Sequence, residues 1–329
     1  MPANLPPQYL EAERRYRQAK HHPEKIRVLE EMLALIPKHK GTEKLRVDLN
    51  RRLSKLKTEL ERRPATKRGS GIFVDREGIG QVVLVGAPNA GKSALVRSLT
   101  NARPEVAPYP FSTRKPLPGM LEFENVKIQL VDLPALSPEM VEGWVLGIIR
   151  NADLILWMVD LGSDDLLEQV DATEKILMQA KIIPGGATDR REVTEPGQVY
   201  IRTLMIGNKV DLPEAADRFL ILQEHVGGRF SLLSGSAIAG TGLQEIRHRL
   251  YDALEVLRVY TKAPGKAAEI AHPVVLPRGS TLLQAADAVH KDFAAKLKYA
   301  RVWGSGKFEG QRVHREYLVQ DGDIIEFHI

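Results

Sequence analysis

The sequence predicts an α/β protein built around a doubly wound, mostly parallel sheet. Short apolar runs rich in β-branched residues, such as residues 81–85 and 154–159, alternate with stretches of helical spacing, and buried parallel strands joined by helices produce this alternation. A leucine-periodic segment precedes this region and a short strand-rich segment follows it. We therefore predict a basic helical hairpin at 1–66, an α/β domain at 67–255, and a small domain with one helix on a mixed sheet at 256–329.

The N-terminal part is predicted to be helical and basic. Within residues 8–63, apolar residues recur at spacings of three and four on either side of Pro37 and Gly41, which favours an antiparallel hairpin. The two runs are Ile26, Leu29, Leu33 and Ile36, and Leu45, Leu49, Leu53, Leu56 and Leu60. Residues 1–68 hold 18 lysines and arginines against 9 acids, in a chain of net charge +5. This excess favours contact with a polyanion such as RNA, although a solvated helix pair without a partner would have the same composition.

Strands and one closing helix define the predicted α/β domain. The strands are expected at residues 81–85, 128–131, 154–159 and 203–206, and the helix at 242–257. Residues 184–196 are rich in proline, glycine and charge, so we expect them to form an exposed loop.

The C-terminal part is predicted to contain a small sheet. Strands are expected at 256–260 and 274–276, a helix at 280–293, and a tight turn at 321–323 that leads into 324–329. Four aromatic residues lie there among lysines and arginines and are able to stack on RNA bases, namely Tyr299, Trp303, Phe308 and Tyr317. We expect most of them instead to fill the core of this domain.

Composition excludes several classes of function. The chain of 329 residues has no cysteine, which excludes disulfides, cysteine-bound metals and thiol catalysis and favours a cytoplasmic location. No run of about 18 apolar residues predicts a membrane span, and the first twenty residues lack the apolar core of a signal peptide.

A nucleotide site is predicted directly after the first strand. Residues 86–93, GAPNAGKS, follow the apolar run VVLV and precede a helical stretch, which is the sequence and the context of a phosphate-binding loop. Backbone N–H groups of such a loop point at phosphates, and the helix N-terminus adds the positive end of a dipole. Lys92 is expected to reach the β- and γ-phosphates, and Ser93 to bind Mg²⁺. The predicted nucleotide contacts in this loop are Gly86, Asn89, Ala90, Gly91, Lys92, Ser93 and Ala94.

The identity of the base is predicted from NKVD at 208–211, which follows an apolar strand. The Asp211 carboxylate is able to accept the N1–H and N2–H of guanine, and a base without these donors would leave the charge unpaired. Lys209 is expected to lie along the base, and Asn208 to tie this loop to the phosphate loop. Ser236 and Ala237 are expected to offer a backbone N–H to guanine O6.

With these motifs, the chain resembles GTPases of the Obg and developmentally-regulated-GTP-binding-protein branch. Five guanine-nucleotide motifs support the resemblance: GAPNAGKS at 86–93, YPFST at 109–113, DLPA at 132–135, NKVD at 208–211 and SAIAGTGL at 236–243. The last part resembles a TGS domain, a small β-grasp module, through LPRGSTLLQAADAVHKDF, YARVWG and the closing DGDIIEFHI.

The resemblance implies roles for further residues. Thr113 would close on Mg²⁺ and the γ-phosphate, Asp132 would hold Mg²⁺ through a water, and the N–H of Ala135, where the family usually has glycine, would contact the γ-phosphate. Together with Lys92 these residues form the expected catalytic set. The resemblance also implies a partner in the translation machinery, either the ribosome with its ribosomal RNA or an assembly intermediate, reached through the basic helices and the TGS domain.

Hydrolysis is expected to be slow without help. Leu136 stands where Ras-like enzymes have a glutamine that orients the attacking water, and an apolar side chain cannot do this by hydrogen bonding. Some relatives compensate with K⁺ held by an asparagine at the position of Asn89, so K⁺ joins GTP, GDP and Mg²⁺ as an expected ligand; the alternative is that Asn89 only braces its loop. We predict a Mg²⁺-dependent GTPase switch. The rival is a nucleotide-gated RNA- or protein-binding module with negligible turnover.

Overall fold

The structure is a computed structural model. It describes residues 7–18, 22–36, 49, 53, 72–100, 115–137, 141–186 and 195–329. The chain divides into two units, Met1–Gly71 and Ile72–Ile329. No helix within the described ranges is both long and apolar enough to cross a membrane.

The first unit contains two helices that share an apolar cluster. Helix α1 spans Pro7–Gln18 and helix α2 spans His22–Leu35. The cluster is formed by Tyr9, Ala12, Val28, Leu29, Met32, Ile36 and Leu49. An ion pair between Arg15 and Glu31 joins the two helices at 2.5 Å. Helix α2 contains the first predicted apolar run except Ile36, which directly follows it, whereas the second run lies outside the described residues except for Leu49 and Leu53.

The second unit begins with a seven-stranded sheet. Its strands are β1 Gln81–Val85, β2 Leu117–Phe123, β3 Val126–Asp132, β4 Leu154–Asp160, β5 Ile182–Gly185, β6 Val199–Asn208 and β7 Ser231–Gly235. They lie in the order β2-β3-β1-β4-β6-β5, and β7 also pairs with β6. Only β2, at the edge, is antiparallel to its neighbour. The associated helices are α3 Lys92–Leu99, α4 Gly143–Arg150, α5 Leu166–Gln179, α6 Ala215–Val226 and α7 Leu243–Ala253.

This topology confirms the predicted α/β class with a mostly parallel sheet. Successive residues of β1 enter different apolar clusters on the two faces, with Val83 in one and Val82 in the other, because side chains of a strand alternate between faces. Strands β2, β5 and β7 were not predicted, since their residues are interrupted by proline, glycine or serine. The expected exposed loop at 184–196 is wrong at its start, where Pro184 and Gly185 are buried in β5 against β6.

A second sheet ends the chain. Its strands are β8 Val256–Lys262, β9 Ala268–Pro277, β10 Tyr299–Trp303, β11 Gln311–Val313 and β12 Asp323–His328, in the order β11-β10-β12-β8-β9. Two helices, α8 Leu282–Val289 and α9 Lys291–Lys296, replace the single helix predicted at 280–293, because His290 between them is extended and its ring nitrogen accepts the N–H of Asp292. The helix predicted at 242–257 ends at Ala253, since Glu255 has a positive φ of 51° and β8 follows at once.

The prediction that most of the four aromatic residues fill the core of this last part is wrong. Tyr317 packs against the apolar cluster beneath the sheet. Tyr299 and Trp303 are only partly buried, and Phe308 is 66% exposed.

Candidate nucleotide-binding site

The phosphate loop follows β1 at the carboxyl edge of the parallel sheet, where ligands of open α/β folds bind. Two of its glycines are required by close contacts. A Cβ on Gly86, which has a φ of 145°, would lie 2.3 Å from the carbonyl oxygen of Met158 in β4. A Cβ on Gly91, at a φ of 92°, would lie 2.1 Å from Nδ2 of Asn208. The loop therefore lies directly against two neighbouring segments of the site.

Lys92 is the buried cation of the loop. Its Nζ donates hydrogen bonds of 3.0 Å to the carbonyl oxygens of Gly86 and Ala87. Burial lowers the pKa of Lys92 to about 8, and the charge of Asp132 partly opposes this shift. The ammonium group is thus held inside the loop that the sequence assigns to phosphate.

Ser93 and Asp132 bring two hard oxygen ligands together. Asp132 is the last residue of β3 and is fully buried, and the Ser93 hydroxyl donates to its Oδ2 at 2.5 Å. Hydroxyl and carboxylate oxygens are the ligands that Mg²⁺ prefers. These two residues fit the predicted magnesium site.

Asn208 connects three loops of the site. Its Nδ2 donates to the carbonyl oxygen of Ala90 at 2.9 Å, and its Oδ1 accepts the N–H of Ala237 at 3.0 Å. The Ser98 hydroxyl of α3 also donates to the Ala237 carbonyl at 2.6 Å. The side chain of Asn208 is 3% exposed. The phosphate loop, the NKVD segment and the SAIA segment therefore share one buried amide.

The NKVD segment at 208–211, the base-side loop, has one free carboxylate and one lysine in an ion pair. Asp211 is exposed and makes no hydrogen bond or ion pair with any residue that the structure describes. Lys209 has a positive φ of 70°, and its Nζ lies 2.6 Å from Oδ2 of Asp160. Sequence reasoning missed Asp160. Its position as the last residue of an apolar strand, paired in register with Asn208, was the available signal.

In the SAIA segment, the two backbone N–H groups predicted to face guanine are bonded within the protein. The N–H of Ser236 donates to Thr241, and the N–H of Ala237 donates to Asn208. Within the described part of the chain, the N–H of Ile238 makes no hydrogen bond, and its side chain is exposed. The N–H of Ile238 therefore remains available to a ligand beside this segment.

The structure describes only some of the residues expected to contact the γ-phosphate or to take part in GTP hydrolysis. Thr113 and the rest of YPFST lie outside the described residues. Ala135 is half-buried after β3, while Leu136 is 3% exposed within an apolar cluster and its N–H donates to the Gly86 carbonyl at 3.2 Å. Asn89 is exposed at the outside of the phosphate loop with a φ of 61°.

The remaining predicted contacts belong to the loop and to the start of α3. Ala90 is buried and offers its carbonyl to Asn208, and Ala94 is half-buried against one apolar cluster of the sheet. The structure thus brings together the predicted residues of the phosphate loop, Asp132, and the two base-side segments.

Two protein families match separate parts of this chain. Residues 81–184 match the family described as 50S ribosome-binding GTPase, and residues 257–329 match the TGS domain. A GTP-binding protein of Methanocaldococcus jannaschii is 31% identical over 359 residues, an alignment that covers 92% of this chain and 91% of that protein. The human developmentally-regulated GTP-binding protein 2 is 26% identical, with 92% and 98% covered.

The chain belongs to the GTP-binding proteins that join a P-loop GTPase domain to a C-terminal TGS domain, and developmentally-regulated GTP-binding proteins are among its relatives. This confirms the resemblance that the five motifs predicted. The P-loop GTPases are GTP hydrolases as a class. The YchF GTPase structure from Schizosaccharomyces pombe shares the fold of this P-loop GTPase, with a TM-score of 0.53 at 14% identity over 77% of this chain and 99% of that one.

Proposed function

We propose that this GTPase hydrolyses GTP to GDP and phosphate with Mg²⁺ and acts as a switch on the ribosome or on an assembly intermediate. The observation that carries the proposal is the convergence of Lys92, Ser93 and Asp132 at one end of β1, tied through Asn208 to the base-side loop. This convergence supports the proposal, because the residues proposed for phosphate and Mg²⁺ are joined by hydrogen bonds to the segment that carries the proposed guanine-selecting carboxylate.

Each residue has a role that follows from its chemistry. Lys92 places positive charge beside the β- and γ-phosphates, where negative charge develops during phosphoryl transfer. Ser93 and Asp132 would hold Mg²⁺, which supplies charge neutralisation at the same oxygens. Asp211 is proposed to select guanine, and the Ser236–Ala237 turn, or the neighbouring free amide of Ile238, is proposed to donate to O6. Thr113 and Ala135 are proposed to respond to the γ-phosphate.

The side chain of Leu136 cannot position the attacking water. This residue is buried in the apolar cluster rather than exposed at the loop, so we propose that K⁺, held by Asn89 and backbone carbonyls, supplies the missing positive charge. The burial of Leu136 also favours the second candidate, a nucleotide-gated RNA- or protein-binding module with negligible turnover. Hydrolysis assays separate the two.

The ribosomal part of the proposal depends on family and charge. The matched family is described as ribosome-binding, and the N-terminal 68 residues carry twice as many basic as acidic side chains, as expected of an RNA-rich partner. The proposed division of labour is a basic extension at 1–66, a GTPase domain at 67–255 and a TGS domain at 256–329, working in the cytoplasm.

The decisive assay is GTP turnover in K⁺ and in Na⁺ buffers, with and without ribosomes. Lys92→Ala serves as the control for turnover by a contaminant. Ribosome-stimulated turnover that disappears in Lys92→Ala is the expected result. Slow turnover that ribosomes leave unchanged in both buffers would support the binding module. If K⁺ and Na⁺ give equal rates, or if Asn89→Ala retains a K⁺ effect, the cation role is wrong.

A further inference from the structure

The sheet of the TGS domain has one face packed on helices and one open face. Ala300, Val302, Ile325 and Phe327 point to the core beneath α8 and α9. Because side chains alternate along a strand, their neighbours in β10 and β12 point the other way. These outward residues are Tyr299, Arg301, Trp303, Ile324, Glu326 and His328.

The GTPase domain covers part of this open face. Arg258 of β8 is 7% exposed and binds Glu124 at the turn between β2 and β3, and Asn125 of the same turn donates to the Tyr260 hydroxyl at 2.7 Å. Asp321 accepts two further hydrogen bonds from the Arg258 guanidinium, at 3.1 and 2.7 Å. The part of the face formed by β10 and β11 lies outside these contacts.

Two arginines oppose one another on that uncovered part. Arg301 of β10 and Arg312 of β11 are cross-strand partners, and both are exposed. Like charges directly opposite each other destabilise a sheet. Neither guanidinium makes a hydrogen bond or an ion pair with any residue in the described ranges. Glu326, the other cross-strand neighbour of Arg301, is engaged by His328 at 2.8 Å and by Lys262 at 3.6 Å.

Aromatic rings hold the neighbouring cations in place. The Arg312 guanidinium lies 3.9 Å from the centroid of the Tyr299 ring, which itself stacks on His328 at 4.4 Å. Lys262 lies 4.0 Å above Trp303. A guanidinium stacked on a ring keeps its N–H groups directed outward in its own plane. Within the described ranges, no acidic side chain offsets the repulsion between Arg301 and Arg312. Stacking on Tyr299 instead fixes the Arg312 guanidinium with its N–H groups available to a ligand.

The loop that joins β10 to β11 adds an exposed aromatic residue. Phe308 is 66% exposed and follows Lys307, which is also exposed. Proteins that bind single-stranded nucleic acids combine an exposed aromatic ring with lysine and arginine side chains, because bases stack on the ring while the cations bind phosphates. An acidic protein segment would use the arginines but would not need the ring.

We propose that the β10–β11 hairpin of the TGS domain binds single-stranded RNA, with Arg301 and Arg312 on phosphates and Phe308 stacked on a base. The inference rests on the proposed function in taking RNA as the partner's chemistry. It requires no GTP turnover.

The first test measures binding of a short, unstructured fluorescein-labelled RNA to the full chain by anisotropy, between about 50 and 200 mM salt. The double variant Arg301→Gln with Arg312→Gln is expected to bind at least about tenfold more weakly, and the slope of log K against log salt is expected to fall by about 1.4, since each phosphate contact on a single strand contributes about 0.7. The control, Arg249→Gln with Arg278→Gln, removes the same charge from exposed arginines that have acidic neighbours. Equal affinity and slope in the two double variants would overturn the proposal.

A second readout locates the contact, because the basic first unit is another candidate for RNA. Photo-crosslinking with 4-thiouridine RNA is expected to label the β10–β11 hairpin, and Phe308→Ala to reduce that label without changing GDP affinity. Label confined to residues 1–71 would overturn the proposal, as would arginine-dependent binding of poly-glutamate with no binding of RNA. Turnover measured on the same variants distinguishes the two proposals: loss of RNA binding with intact GTP hydrolysis affects only the hairpin, and absent hydrolysis with an intact RNA response affects only the enzymatic proposal.

Discussion

The buried amide of Asn208 offers the sharpest test of how the nucleotide site is held together. Asn208→Ala removes both hydrogen bonds of this amide and leaves the carbonyl of Ala90 and the N–H of Ala237 without their partner. All three residues are buried, and each unmet buried group costs about 1–3 kcal/mol. For two groups, the free energy of unfolding should fall by about 3 kcal/mol. This is nearer the lower end of the sum, because water at this edge of the sheet is able to replace part of the lost hydrogen bonding.

The nucleotide affinity should fall with it. The phosphate loop and the base-side loop lose their common anchor, so GDP binding is expected to weaken by at least about tenfold, which corresponds to about 1.4 kcal/mol. Urea unfolding followed by tryptophan fluorescence measures the first quantity, and titration calorimetry with GDP measures the second. The isosteric Asn208→Asp retains an acceptor for Ala237 but turns a carboxylate oxygen toward the carbonyl of Ala90, so it should be no less damaging.

The matched control is Asn151→Ala, which removes one exposed hydrogen bond of 2.8 Å to the Gly147 carbonyl. Its effect on unfolding should stay within about 0.5 kcal/mol, with GDP affinity unchanged. An Asn208→Ala protein as stable as this control, with native GDP affinity, would refute the argument that one amide joins the three loops.

Three further predictions follow from the same geometry. The pKa of Lys92 is lowered from 10.5 to about 8, so between these pH values the unfolded chain binds more protons than the folded chain. The free energy of unfolding should therefore rise with pH over this range, by about 3 kcal/mol relative to Lys92→Met. Parallel pH curves for the two proteins would contradict this. Asp211→Asn should weaken GDP binding more than about a hundredfold and remove the preference for GTP over ATP in competition assays, because it loses hydrogen bonds to a charged acceptor, whereas Asp217→Asn on α6 should change neither. Arg258→Met removes a buried guanidinium from its ion pair with the more exposed Asp321. It should lower the free energy of unfolding by about 2 kcal/mol, since hydrogen bonds to charged groups contribute about 1.5–3 kcal/mol; a urea midpoint equal to that of wild type would show that this contact adds no stability.

Much of the site could be predicted because its motifs are local. Glycine spacing, the lysine and serine that follow it, and an acidic residue after an apolar strand each place a specific chemical group within a few residues of a strand end. Since parallel strands end at the same edge of a sheet, the sequence predicts that Lys92, Asp132 and Asn208 lie near one another. The same local signals predicted β1 with its bounds and the class of the sheet.

Other features depend on residues far apart in the sequence, and periodicity does not reveal them. Edge strands such as β2 are recognisable only through their pairing, because one side of the strand meets solvent and its apolar pattern is weak. The pairing of Lys209 with Asp160 depends on the register of β4 against β6. The use of the Ala237 amide by Asn208 likewise depends on how two loops meet.

The sequence by itself determined the fold class, the nucleotide chemistry and the family, since these depend on residue types at fixed short spacings. The tertiary structure decided that the Ala237 amide is bonded to Asn208, that Leu136 is buried, and which aromatic residues face outward. It also decided that Arg301 and Arg312 oppose each other while Arg258 is covered by the GTPase domain. The physical reason is that a strand shows which residues share a face, whereas only packing shows what covers that face.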